Sequence, residues 1–91
     1  MTLNKEGVSR LDNDNEYIEF IGAAAKLADP MSFINFQRTE GKLHVTIIPN
    51  QSEFKQDLID TVLEAHRRLQ LRIHFSSSLK ISKSIYYYLD I

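Results

Sequence analysis

The 91-residue sequence contains no cysteine, which excludes disulfide stapling, thiolate nucleophiles and cysteine-ligated metals. No stretch approaches the roughly 18 apolar residues of a membrane span, and residues 1–16 lack the apolar centre of a secretory signal. A soluble, cytoplasmic protein is the expectation. Catalytic signatures are missing as well: there is no phosphate-binding loop, no dinucleotide glycine pattern and no helix with histidines at metal spacing. Ser76, Ser77 and Ser78 have neither the glycines of a nucleophile elbow nor a recognisable base. Asp57, Asp60 and Glu64 share one face of a predicted helix, where solvent rather than a sheltered site would surround them. His44 and His74 could share a sheet face, but zinc needs three or four ligands and no cysteine or nearby acid joins them, while His66 falls on a helix flank where packing or capping explains it. The expectation is a protein that is not an enzyme and holds neither cofactor nor metal.

What is present is the composition of a globular domain, with 43% apolar and 25% charged residues. A chain of this length buries one modest core, so subunits that share a surface would add stability. The net charge of −1 conceals an asymmetry. Residues 1–30 carry three Lys/Arg against six Asp/Glu, residues 31–64 three against five, and residues 65–91 five against one. Arg67, Arg68, Arg72, Lys80 and Lys83 make the last quarter basic, enough to steer an acidic partner toward it. Arg67 and Arg68 equally suit a helix C-terminus, where cations offset the macrodipole.

Periodicity divides the chain into six elements. Residues 1–12 show no sustained period and read as a flexible arm ahead of a single domain over 13–91. Asn13 and Glu16 resemble a capping box, and Tyr17, Ile21, Ala24 and Ala28, with Ile18, Phe20, Ala25 and Leu27, form a helical stripe that Asp29-Pro30 ends. Residues 32–38 and 43–48 are aromatic and β-branched with a turn glycine between them, predicting a hairpin. A second helix over 54–69, capped by Asn50 or Ser52, carries Phe54, Leu58, Ile59, Val62, Leu63, Ala65 and Leu69 on one stripe. Residues 71–75 alternate as a strand, and residues 85–91, with three successive tyrosines, suit a pleated strand better than a helix.

The order α-β-β-α-β-β predicts a two-layer α+β sandwich: a mainly antiparallel four-stranded sheet with both helices on one face. Alternation would put Ile34, Phe36, Leu43, Val45, Ile47, Leu71, Ile73, Phe75, Ile85, Tyr87, Leu89 and Ile91 in the core. The helix-free face would present Phe33, Asn35, Gln37, His44, Arg72, His74, Tyr86 and Tyr88, alongside Thr46 and Ile48. Tyrosine and arginine among polar neighbours are typical of binding-surface centres, which points to a protein-binding module: an inhibitor, adaptor or regulator, self-associating as a homodimer. A C-terminal strand at the sheet edge would offer one route to that dimer. The alternative is a nucleic-acid binder in which Arg67, Arg68, Lys80 and Lys83 contact phosphates while Tyr86, Tyr88 or Phe33 stack on bases. The sequence pI near 6.3 weighs against it.

Overall fold

The computed structural model describes residues 14–69, 74–75 and 82–91. The predicted arm and the capping residue Asn13 lie outside them, as do Leu71, Arg72, Ile73, Ser76, Ser77, Ser78 and Lys80. The architecture is a small α+β domain with two helices and an antiparallel sheet. Helix α1 spans Asp14–Ala28, strands β1 and β2 span Phe33–Thr39 and Lys42–Ile48, and helix α2 spans Lys55–Leu69. A two-residue segment β3, His74–Phe75, and strand β4, Ile85–Asp90, complete the order.

Asp14 and Glu16 stand in the first turn of α1 and Lys26 in its last, matching the helix dipole at both ends. Asp29, 1% exposed, then anchors the exit. Its carboxylate accepts bonds from the backbone N–H of Met31 (3.2 Å) and of Asn50 (2.8 Å), tying the end of α1 to the loop after β2. The hairpin turn is tight: Glu40 and Gly41 both have positive φ, 49° and 74°, as a two-residue type I′ turn requires. From it β1 and β2 pair without interruption from Thr39↔Lys42 to Phe33↔Ile48.

The sheet order is β1-β2-β4-β3, antiparallel throughout. Among the described residues only β1, β2 and β4 run for more than two residues. Where a fourth strand was expected over 71–75, His74–Phe75 is the part described, pairing with β4 at two positions, and Leu71, Arg72 and Ile73 lie outside the described residues. The C-terminal strand forms as expected but not at an edge. Alternation along β4 matches the buried face of β2, so it is accommodated between β2 and β3.

Both helices pack on one face of this sheet. Leu43, Val45, Ile47, Ile85, Tyr87 and Leu89 join Tyr17, Ile21 and Ala25 of α1 and Leu58, Val62 and Ala65 of α2 in one cluster. Four residues of the predicted helical stripes are left uncovered. Phe20, Leu27, Leu63 and Leu69 are exposed, Leu27 at 87%. A flat sheet covers only the central arc of each helix, so the margins of a broad apolar stripe stay in solvent. The start of α2 also differs: Ser52–Phe54 form a 3-10 turn, and its cap is Gln51, which makes no side-chain bond, rather than Asn50 or Ser52.

His66 belongs to the core rather than to a flank, at 3% exposure. Its Nδ1 is 2.6 Å from the Val62 carbonyl, an atom that can only accept, so Nδ1 carries the proton. Burial holds the imidazole pKa below its ordinary value, and the neutral ring therefore offers Nε2 as an acceptor to the Tyr17 hydroxyl at 2.9 Å. The Tyr17 oxygen accepts in turn from the Tyr87 hydroxyl at 2.6 Å. Every proton in this buried relay has one consistent position. Burial drives the pKa of both tyrosines up, so neither ionises near neutrality.

Candidate functional site

The helix-free face is organised by the strand register into cross-strand rows. Phe33 pairs with Ile48; Asn35, Thr46 and Tyr86 form the next row; Gln37, His44 and Tyr88 the third; Thr39, Lys42 and Asp90 the last. Directly opposed residues on paired strands share a face, so Phe33, Asn35, Gln37, His44, Tyr86 and Tyr88 come together as their alternation predicts. His74 holds the register position opposite Tyr88, and Arg72 lies outside the described residues.

At the centre, His44 Nδ1 and the Tyr86 hydroxyl are 2.6 Å apart. The two rings stack at 15° with centroids 6.0 Å apart across the diagonal, and the Tyr88 ring, directly opposite His44 in the register, lies 5.9 Å away. Lys42 Nζ lies 5.8 Å from the centre of the Tyr88 ring, within range of a cation–π attraction. Lys42 is a contributor that the sequence pattern assigned to the turn. Its place in the last rung of both ladders becomes visible only with the register.

Between β1 and β2 the face forms a shallow depression of about 220 Å³, lined by Asn35, Gln37, Thr39, His44, Thr46 and Tyr86. Amides, hydroxyls and an imidazole line it, and no carboxylate, ammonium or guanidinium does. Phe33 at one end is 58% exposed and lies beside the exposed Ile48. The chemistry offered is uncharged hydrogen bonding with an apolar flank. No group of three or more His, Asp or Glu side chains converges as metal ligands among the described residues.

The candidate anion contacts sit elsewhere. Arg67 and Arg68 are exposed on α2, in the helix layer, and both bind the Glu64 carboxylate. The hydrogen bond from Arg67, with Arg68 nearby, holds the Glu64 pKa below the usual carboxylate range. Lys83 is exposed in the bend before β4, and Lys80 lies outside the described residues. The guanidinium groups and Tyr86 and Tyr88 are on opposite layers of the molecule. A second, wider depression of about 490 Å³ runs between the outer sides of the helices, lined by Phe20, Ala24, Asp60, Thr61, Glu64, Ala65 and Arg68. No protein-family model matches the chain, and no curated protein matches its sequence.

Proposed function

We propose that this protein is a non-enzymatic protein-binding module, an inhibitor, adaptor or regulator, whose contact surface is the helix-free face of its sheet. The observation that carries the reading is the His44–Tyr86–Tyr88 cluster, held by a 2.6 Å hydrogen bond and two ring contacts beside an uncharged polar depression. Rings fixed by their neighbours lose little rotamer freedom on docking, which is why aromatic anchors dominate binding energy at protein interfaces. The lining matches the amide and hydroxyl chemistry of a protein surface. A phosphate backbone would demand several cations there, whereas the depression is lined by none, Lys42 stands at its margin in the same row as Asp90, and Arg67 and Arg68 lie on the other layer, engaged with Glu64.

The test is capture from cell lysate by the wild-type protein and by the variant Tyr86→Ala/Tyr88→Ala, with nuclease and at low and high salt. A protein retained by wild type, lost with the variant and indifferent to nuclease is the expected result. Retention of nucleic acid that salt removes would sink the reading, as would equal capture by both proteins.

A further inference from the structure

Strand β1 is an edge. It pairs with β2 on one side, and among the described residues nothing pairs with the other. Folded proteins ordinarily blunt such a row of backbone N–H and C=O groups with proline, a bulge or charge. Phe33–Thr39 contains no proline, and its seven register pairs with β2 run without a bulge. Its one charged side chain, Arg38, is folded back on the first turn of α1, bonded to Asp14 and Asn15. Beside the edge, Ile18 of α1 and Ile34 and Phe36 of β1 are only partly buried.

A second observation converges on the same place. Gly22 sits in the middle of α1, where glycine weakens a helix relative to alanine. A Cβ there would meet nothing within 4 Å, and its φ is not positive. Among the described residues nothing requires the glycine. Tyr17, Ile21 and Ala25 face the core and Phe20 and Ala24 face α2. At about 100° per residue, Ile18 and Gly22 then fall on the remaining flank, the side from which Asn15 reaches Arg38 of β1.

We infer that the β1 edge is the interface between two copies of this chain, paired antiparallel across a two-fold axis into one continuous sheet. Gly22 allows the two α1 helices to approach each other above the junction. Opposed residues must share a face, which limits the register to pairs of like parity, and only the register centred on Phe36 pairs all seven residues. It sets Asn35 against Gln37 of the second copy, Phe36 against Phe36, and Arg38 against Ile34, so no like charges oppose one another. Helix α1 runs antiparallel to β1, and 15 helical and seven strand residues are each roughly 22 Å long. Gly22 and Phe36 therefore sit at the same level along the edge, on one axis.

This interface is distinct from the sheet face and does not depend on what that face binds. Sedimentation across a concentration series should show wild type reaching twice its 10.6 kDa chain mass. Gly22→Gln should weaken the dimer at least tenfold while its melting temperature when dilute equals or exceeds that of wild type, and it should still capture a face-binding partner. Because the chain has no cysteine, Asn35→Cys and Gln37→Cys report the register: an oxidised mixture should give the mixed disulfide faster than either variant alone gives its own. A wild-type monomer at millimolar concentration overturns the proposal. So does undiminished dimerisation of Gly22→Gln, or cross-linking without preference for the mixed pair.

Discussion

At the scale of single residues, the Tyr17–His66–Tyr87 relay makes graded predictions. In Tyr87→Phe the Tyr17 oxygen loses a donor, which should cost about 1–2 kcal/mol for one buried polar group left short. In Tyr17→Phe both His66 Nε2 and the Tyr87 hydroxyl lose their partner, and the cost should rise to about 3 kcal/mol. Urea denaturation would rank them, and the reverse order would sink the central place of Tyr17 in the relay. His66 also makes stability depend on pH. Its folded pKa is depressed by burial, so the unfolded chain binds the extra proton first. The stabilisation is intact above the unfolded value of about 6.5 and is lost as pH falls from there through the folded pKa. Wild type should therefore lose stability between pH 8 and pH 5, and His66→Gln should lose less over the same interval. The sequence located His66 on α2 correctly, but a helical period alone does not show which flank meets a tyrosine from another layer.

At the scale of elements, the hairpin was the most legible part of the chain, because alternation and one glycine specify two strands and their connection. The turn itself still stores strain. Glu40 sits at φ 49°, a left-handed conformation that asparagine and glycine tolerate better than other residues. Glu40→Asn should stabilise the protein by about 0.5–1 kcal/mol, seen as a higher urea midpoint with an unchanged slope. Gly41→Ala should do the reverse, since φ of 74° suits glycine. The helices were less legible at their margins. Phe20 and Leu27 follow the apolar period of α1 yet remain in solvent, because periodicity records where apolar residues stand and not how wide a surface will cover them. Asp29 shows the converse: a residue read only as a helix stop is a buried tie between α1 and the loop at Asn50.

At the scale of the whole molecule, the three successive tyrosines divide between two environments. Tyr87 is fully buried, at 0% exposure, while Tyr86 and Tyr88 are part-exposed on the opposite face. Tyr87→Ala should cost about 3–5 kcal/mol through the cavity it leaves. Tyr86→Ala/Tyr88→Ala should cost about 1–2 kcal/mol, the worth of their cross-strand contacts. Thermal unfolding distinguishes them, and comparable losses in the two proteins would remove the basis for assigning separate roles.

Which side chains share a face was legible from the residues alone, since strand alternation is a property of the backbone and needs no knowledge of neighbours. That put Phe33, Asn35, Gln37, His44, Tyr86 and Tyr88 on one surface and Tyr87 in the core. Which strands are adjacent emerged with the fold. With β4 between β2 and β3, His44 meets Tyr86 and Tyr88 across a shared ladder, Lys42 joins them, and the open edge belongs to β1 rather than to the C-terminal strand. It likewise set Arg67 and Arg68 on the layer away from those tyrosines. Strand order depends on long-range packing of the two helices over one core, and no local period in the chain encodes that.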